Sequence, residues 1–347
     1  MQSMRARFVV LIAALLILTG SNMAMARAQT FTEHDVTFQN GATTLAGTII
    51  EPTGQGPFPA VVYLHGSGPM TRAGFRPYAE AFARLGMASL FYDKRGTGSS
   101  TGSWLTASLD DLAGDALAAV HYLESQDGID PQRIGFWGIS QGGWIGPRAA
   151  AQSDDVAFMI LISGGGATPR ESEMFSYRNE FDHAGLSDTE QTEGFDVLDE
   201  YFQYLATGNG RPELVERLQR LDTNHDSKLY LLAEQLNRIL PSLENRPNWS
   251  WVASYNPAAD ITRLKCPVLI MFGDQDREAP PELSVRKWRD GLAEAGDEDT
   301  TIMVFPGAGH GIRMGRHSND GKRPPFAAGY REAMLGWLWL HVVQAQN

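Results

Sequence analysis

The chain has 347 residues and a formal net charge of −12, with 43% apolar and 20% charged residues. This length suits one large domain with insertions or two domains, and the apolar content is enough for a full hydrophobic core. The acidic balance argues against nucleic acid as a partner, because phosphate backbones attract clustered Lys and Arg. There is a single cysteine, Cys266, which excludes an intramolecular disulfide and a Cys-based zinc site.

The first residues have the pattern of a secretory signal peptide. Two arginines in MQSMRAR precede the apolar run FVVLIAALLILTG, and small residues follow it. Cleavage after Ala26 or Ala28 would remove residues 1–28. A retained membrane anchor is the weaker alternative, because the run is shorter than the ~20 apolar residues that span a bilayer. We therefore expect an exported protein, periplasmic or secreted, with no stable membrane insertion.

Apolar strands alternate with amphipathic helices along most of the remaining chain. A hairpin of exposed strands at 31–39 and 43–52 precedes the buried runs PAVVYLHG, MASLFYD, RIGFWG and VAFMILISGG, with helical segments between most of them. Acidic residues in the first turn of LDDLAGDALAAVHYLESQ suit a helix start. The strands CPVLIMFG and TIMVFP and a last helix complete the pattern. This order predicts an α/β fold, a mostly parallel sheet with helices on both faces.

The alternation is interrupted from about Ala167 to Ala259, where only helical periodicity and polar loops occur. This break predicts a helical cap insertion at 167–259, between core segments at 29–166 and 260–347. The insertion would lie over the carboxyl ends of the strands, where open α/β sheets bind ligands.

The stretch GISQGG at 138–143 follows the strand RIGFWG and begins a helix. Gly138, Ser140 and Gly142 fill the G-x-S-x-G pattern of a nucleophile elbow, which requires this strand–turn–helix setting. A side chain at either glycine is expected to collide across the turn. The helix that follows would direct its free N–H groups toward the serine. A Gly-rich turn without chemistry is the alternative.

A serine hydroxyl becomes a nucleophile when a base takes its proton, and a third group must orient that base. Candidates follow two later strands: Asp274 and Asp276 in FGDQD, and His310 in GAGHG. Each is expected at the edge of the sheet where Ser140 lies. Both aspartates are available to orient the base, and the residues alone leave the choice between them open. His317 in GRHSND is the alternative base.

The negative charge that develops on a substrate oxygen needs hydrogen-bond donors. The segment HGSGP follows an earlier strand, which makes the backbone N–H groups of Gln141 and Ser67 candidates for an oxyanion hole. His65 could act as a second base, but we expect it to brace this turn through a backbone hydrogen bond.

Together these residues resemble the α/β-hydrolase superfamily, and within it secreted esterases and serine-aminopeptidase-like hydrolases. The matching motifs are HGSGP, DKRGTGSS, GISQGG, CPVLIMFGDQD and GAGHG, which span the chain from about Thr32 to its C-terminus except for the insertion. The resemblance implies Ser140 as nucleophile and His310 as general base and acid. It places the aspartate three residues after the strand-end Gly273, which is Asp276. We therefore favour Asp276, and expect Asp274 to cap the next turn. It leaves the substrate open, because this scaffold hosts many acyl-transfer activities.

Other residues near these motifs have two interpretations. Asp93 and Arg95 in DKRGTGSS could bind a substrate carboxylate, but a structural ion pair is the simpler interpretation. Four tryptophans could line an apolar acyl pocket or belong to ordinary packing: Trp104, Trp144, Trp249 and Trp251.

The segment 222–234, DTNHDSKLYLLAE, has some features of an EF-hand loop. However, Ser227 stands where that loop needs Gly, and Ala233 where it needs a bidentate Glu. We therefore prefer a helix–helix turn over a calcium site, and expect no metal and no cofactor.

The preferred hypothesis is an exported serine hydrolase that cleaves carboxylic esters of small molecules through an acyl-enzyme. An aminopeptidase or amidase, a lactonase or a thioesterase on the same fold is the alternative, and a non-catalytic binding module is a third possibility. For an aminopeptidase, four acidic residues of the insertion are available to bind a substrate ammonium: Glu171, Glu173, Glu180 and Asp182. No pattern in the sequence indicates an oligomeric state.

Overall fold

The structure is a computed structural model that describes residues 31–296, 299–315 and 323–344. The predicted signal peptide and His317 lie outside the described residues. Within the three described ranges, no helix combines the length and the apolar character that crossing a bilayer requires.

Eight strands form one sheet in the order β1-β2-β4-β3-β5-β6-β7-β8. They are β1 (Phe31–Asn40), β2 (Thr43–Pro52), β3 (Phe58–Leu64), β4 (Ala88–Tyr92), β5 (Ile129–Ile139), β6 (Met159–Ile162), β7 (Val268–Gly273) and β8 (Thr300–Phe305). β2 pairs antiparallel with β1 and β4, and every other neighbouring pair is parallel. Parallel neighbours need crossover connections, and helices supply them here. The predicted α/β fold is confirmed.

Eleven labelled α-helices accompany the sheet in the described part of the chain. They are α1 (Arg76–Leu85), α2 (Leu109–Glu124), α3 (Gly142–Ala150), α4 (Pro169–Ala184), α5 (Asp188–Thr207), α6 (Arg211–Asp222), α7 (Tyr230–Ile239), α8 (Arg246–Ser254), α9 (Ala258–Ile261), α10 (Pro281–Ala295) and α11 (Tyr330–Leu338). Their starts follow local chemistry. In α2, for example, Ser108 and Asp111 form a reciprocal capping box.

Alternate side chains of each buried strand belong to two hydrophobic clusters, one on each face of the sheet. In β3, Val62 and Leu64 join a cluster that packs against α2, α3 and α10. Val61 and Tyr63 point to the other face and pack with α1 and α11. Because both faces are covered, the strands are apolar throughout, which is why the sequence shows them as continuous apolar runs.

The segment 167–259, which we call the cap segment, contains α4 to α8 and no strand among its residues, all of which are described. It has a hydrophobic cluster of its own, in which Tyr201 and Leu236 are buried. It is joined to the loops that follow β4 and β7. Asn248 Nδ2 donates to the Thr106 carbonyl at 2.7 Å, and Asn179 Nδ2 donates to the Arg277 carbonyl at 3.0 Å. The cap segment therefore contacts the edge of the sheet where the parallel strands end.

Candidate active site

Ser140 lies between β5 and α3 in a backbone conformation that non-glycine residues rarely adopt, with φ of 54°. Its N–H donates to the Ile162 carbonyl at 2.9 Å, and its own carbonyl accepts from Gly143 N–H at 2.8 Å. The first of these bonds ties the turn to the end of β6, and the second starts helix α3. The strand–turn–helix setting expected for the nucleophile elbow is present, and it holds the serine at the carboxyl end of the sheet.

The glycines around this turn are closely packed. A Cβ atom on Gly138 would lie 3.1 Å from the Gly142 carbonyl carbon, and one on Gly142 would lie 3.1 Å from the Leu64 carbonyl oxygen. Two other glycines are more tightly enclosed. A Cβ on Gly143 would lie 2.2 Å from the Gly164 carbonyl carbon, and one on Gly164 would lie 2.0 Å from the Ser140 oxygen. The sequence reasoning missed this second pair, although the doubled glycines in GISQGG and ISGGG were a signal.

Asp276 and His310 are brought together from the loops after β7 and β8. His310 Nδ1 lies 3.0 and 3.1 Å from the two Asp276 carboxylate oxygens. The backbone N–H groups of Glu278 and Ala279 both donate to Asp276 Oδ1 at 2.9 Å, which fixes the buried carboxylate. Asp274 has a different partner, because its Oδ1 accepts from the Gly307 N–H at 2.7 Å. Of the two candidate carboxylates, Asp276 therefore faces the imidazole and Asp274 ties a turn.

The second ring nitrogen of His310 lies near another carboxylate. Nε2 lies 3.4 Å from a Glu278 carboxylate oxygen, and the hydrogen bonds of the described residues include none from His310 to the Ser140 hydroxyl. Burial alone would lower the pKa of His310. The hydrogen bond and the charge of Asp276, together with the charge of Glu278, outweigh burial and raise that pKa above its usual value. In an enzyme without substrate, the contact between a catalytic histidine and its serine is often long, and it tightens when substrate binds.

Ser163, at the end of β6, links the serine turn to the histidine loop. Its Oγ accepts from the Gly311 N–H at 3.0 Å, and its own N–H donates to the Met271 carbonyl at 2.8 Å. Ser140, Ser163 and Ile312 are the non-glycine residues with positive φ in the described chain, and all three lie in these adjoining turns. Backbone strain concentrates at functional sites. Sequence reasoning missed Ser163, and only its position at a strand end could have indicated it.

The proposed oxyanion residues lie beside the serine. A Cβ on Gly66 would lie 3.5 Å from Ser140 Cβ, which brings the HGSGP loop against the elbow. Among the described residues, no backbone hydrogen bond has the N–H of Ser67 or Gln141 as its donor. His65 Nε2 donates to the Tyr92 carbonyl at 2.7 Å, the bracing contact that we expected. Burial, with the nearby positive charge of Lys94, lowers the pKa of His65 to about 3.

The DKRGTGSS loop is held by ion pairs and hydrogen bonds. Arg95 is paired with Asp115, from Nη2 to Oδ1 at 2.7 Å, and both side chains are buried. Asp93 instead accepts hydrogen bonds from the N–H groups of Arg72 and Ser99 at 2.9 and 3.0 Å. The structural interpretation fits both residues, but Arg95 and Asp93 are not each other's partners.

A cavity of about 200 Å³ lies between the cap segment and the core. Ser67 and Gln141 form part of its wall, so the cavity adjoins the candidate oxyanion donors. Six aromatic residues line it: Trp104, Trp144, Tyr177, Tyr201, Trp249 and Trp251. Glu173 and Lys94 are the charged residues of the described lining. Burial, with the charges of Glu180 and Glu278, raises the pKa of Glu173 to about 7.

The EF-hand-like segment is a connection between helices, with α6 ending at Asp222 and α7 beginning at Tyr230. Across the described ranges, no group of three or more His, Cys, Asp or Glu side chains is arranged to hold a metal ion. The helix–helix turn is the interpretation that fits this part of the chain.

Comparison with known protein families identifies the class of protein to which this fold and this site belong. Residues 61–319 match the family model described as the alpha/beta hydrolase family. Since this match covers well over half of the chain, the protein belongs to the α/β-hydrolase family, and the resemblance drawn from its motifs is confirmed.

The chain is similar to two esterases and to a quorum-quenching protein. Esterase EstD of Thermotoga maritima is 27% identical over 305 residues, which cover 86% of this chain and 63% of that protein. The quorum-quenching protein AidA of Acinetobacter baumannii is 27% identical over 263 residues, covering 73% of this chain and 81% of AidA. In structure, the Pyrococcus furiosus esterase Pf2001 superposes with a TM-score of 0.60 at 17% identity, covering 90% and 92% of the two chains.

Proposed function

We propose that the protein is a serine hydrolase that cleaves carboxylic esters of small molecules. The observation that carries the proposal is the convergence of Ser140, on its strained turn, with the Asp276–His310 pair at the same end of the sheet. The similarity to EstD, an esterase, supports the same conclusion.

The reaction follows from these positions. Ser140 Oγ attacks the ester carbonyl carbon while His310 Nε2 takes the hydroxyl proton, and Asp276 stabilises the imidazolium that forms. The oxyanion accepts hydrogen bonds from the N–H groups of Gln141 and Ser67. The tetrahedral intermediate expels the alcohol, which receives the proton from His310 and leaves an acyl-serine. Water, deprotonated by His310, then attacks the acyl carbon, and the carboxylic acid departs as the proton returns to Ser140.

The cavity beside the oxyanion residues is proposed as the pocket for an apolar acyl group. Its aromatic lining supplies a large apolar surface, and Trp249 and Trp251 come from the cap segment. Its volume of about 200 Å³ suits a short or medium acyl chain rather than a long lipid tail.

The test is hydrolysis of p-nitrophenyl esters across acyl chain lengths, with wild type, Ser140→Ala and Ser125→Ala side by side. Ser125 is an exposed serine at the end of α2, so its variant is a matched control. We expect S140A to lose about 10⁶ in kcat and all labelling by a fluorophosphonate, and S125A to retain both. An S140A enzyme within about tenfold of wild type would contradict the proposed nucleophile.

Glu173 favours a second candidate, an aminopeptidase or amidase. A carboxyl in an aromatic cavity can bind the ammonium group of a substrate. The positive charge of the bound ammonium would favour the ionised form of the Glu173 carboxyl. The test compares amino-acid p-nitroanilides that carry a free amine with their N-acetyl counterparts, in wild type and Glu173→Gln. The aminopeptidase candidate requires faster turnover of the free amines, and a loss of that preference in E173Q. Equal or lower turnover of the free amines would exclude the aminopeptidase candidate, and ester hydrolysis would remain the proposed function.

We also propose that the protein is exported, from the signal-peptide pattern of residues 1–28. N-terminal sequencing of protein from the periplasm or the medium should begin at Arg27 or Gln29. A protein that stays inside the cell and still begins at Met1 would contradict export.

A further inference from the structure

Lys94, in the loop after β4, has a buried side chain that reaches the candidate oxyanion hole. Its Nζ donates to the Gly66 carbonyl at 2.9 Å and to Gln141 Oε1 at 2.7 Å. These two acceptors belong to the two separate segments that carry the candidate oxyanion donors. One buried amine therefore joins both halves of the proposed oxyanion hole.

The bond to Gly66 sets the direction of a candidate donor. The Gly66 carbonyl and the Ser67 N–H belong to one peptide group, and in a trans peptide these two bonds point in opposite directions. When Lys94 holds the carbonyl on its side, the Ser67 N–H is turned away from Lys94. The rotation of this peptide is thus fixed by the amine.

Two further hydrogen bonds from the same loop restrain the chain just after the HGSGP segment. Lys94 N–H donates to the Met70 carbonyl at 3.1 Å, and Thr97 Oγ1 donates to that carbonyl at 2.7 Å. The Lys94 amine fastens the segment at Gly66, and these bonds fasten it four residues further on. The loop leaves this segment little freedom to move relative to the elbow.

Among the described residues, no carboxylate lies within ion-pair distance of Lys94. None of the ion pairs among the described residues includes Lys94, although its side chain is only 2% exposed. A buried cation without an anion is costly for the fold. Burial lowers the pKa of Lys94 to about 7, with the charge of Asp115 opposing part of the change. Glu173 lines the same cavity, but no ion pair of the described residues joins it to Lys94. The anion that would develop directly beside Ser67 and Gln141 is the oxyanion of the acyl-transfer intermediate.

We propose that Lys94 is a positioning residue for the oxyanion hole, which orients the Ser67 peptide and the Gln141 segment and places a positive charge behind them. The proposal rests on the proposed ester-hydrolase function. Because the oxyanion exists only after attack on the carbonyl, Lys94 contributes to the transition state far more than to substrate binding.

The first experiment measures kcat and KM for a p-nitrophenyl ester, and the rate of fluorophosphonate labelling, in Lys94→Met. We expect kcat and the labelling rate to fall by about 10²-fold with KM changed by less than about threefold. Lys265→Met is the matched control, since Lys265 is exposed and pairs with Asp154 at the surface. A K94M enzyme with kcat within about threefold of wild type, or with a loss confined to KM, would overturn the proposal.

The second experiment uses Lys94→Ala with added alkylammonium ions, so that the result does not depend on one variant. Methylammonium and ethylammonium carry N–H donors and should raise kcat of K94A, whereas tetramethylammonium, which has none, should not. A purely structural lysine would give no such rescue, and equal effects of the three ions would overturn the proposal.

S140A is assayed in parallel. If it stays active, the ester-hydrolase function is wrong; if it is inactive while K94M is unimpaired, only the Lys94 proposal is wrong.

Discussion

Replacing Gly164 with alanine tests whether the end of β6 sets the position of the candidate nucleophile. The added Cβ would lie 2.0 Å from the Ser140 carbonyl oxygen and 2.8 Å from its carbonyl carbon. Real Cβ atoms essentially never approach another atom within 3.0 Å, so the two backbones must separate by about 1 Å. A displacement of this size in a catalytic group typically costs ~10² in rate. Overpacking of this kind also costs ~1–3 kcal/mol of stability.

We therefore expect Gly164→Ala to lower kcat for p-nitrophenyl esters about 10²-fold and to lower Tm by a few degrees. The control is Gly336→Ala in α11, where a Cβ meets nothing within 4 Å. G336A should keep full activity and gain up to ~1 kcal/mol in stability, because alanine favours a helix over glycine. If G164A kept the wild-type kcat and Tm, the close contact would not be what positions Ser140, and this reasoning would fail.

Three further substitutions, two of them with a control substitution, separate roles within the site and the core. Asp276→Asn should lower kcat about 10⁴-fold, because an amide does not stabilise the protonated imidazole, while Asp274→Asn, at a turn, should stay within about tenfold. Glu278→Gln removes a charge that helps to raise the histidine pKa; since the base works as neutral imidazole, the acid limb of kcat/KM should move to lower pH, and a limb that stays in place would contradict this. Arg95→Met leaves a buried carboxylate unpaired and should cost about 3–5 kcal/mol in urea unfolding, whereas Lys265→Met, at an exposed ion pair, should cost less than about 1 kcal/mol.

The strands and the order of elements could be predicted because burial on both faces leaves a direct trace in the sequence. β7 and the second half of β5, from Ile134, are apolar runs, whereas residues 130–132 of β5 gave no strand pattern. The glycines of GISQGG identify a turn that few other residues can form. Asp276 could be separated from Asp274 only through the resemblance, since both follow the same strand. The structure supplies the physical distinction, because one carboxylate faces the imidazole and the other caps a turn.

The contacts that the sequence did not indicate join residues on different turns. Arg95 pairs with Asp115 of α2 rather than with its neighbour Asp93, because the loop directs its side chain toward that helix. Ser163 belongs to no motif of the sequence reasoning, and Lys94 lies in DKRGTGSS with no role assigned to it. Yet Ser163 holds the histidine loop, and Lys94 reaches both segments that carry the candidate oxyanion donors. The hydrophobic periodicity of the sequence indicates which residues are buried. Which side chains then form ion pairs or hydrogen bonds depends on how the strand ends meet in three dimensions.

The strained residues explain why the chemistry and the choice of substrate can vary separately in this molecule. Ser140, Ser163 and Ile312 each adopt a conformation that costs of order 1–3 kcal/mol for a non-glycine residue. Hydrogen bonds from Ser140 and Ser163 to the neighbouring strands β6 and β7 hold two of these conformations, so the sheet itself supports the site. The cavity wall, by contrast, draws Tyr201 and Trp249 from the cap segment. Substitutions in the cap segment should therefore change KM and the preferred acyl group, while the rate of fluorophosphonate labelling at Ser140 stays close to wild type.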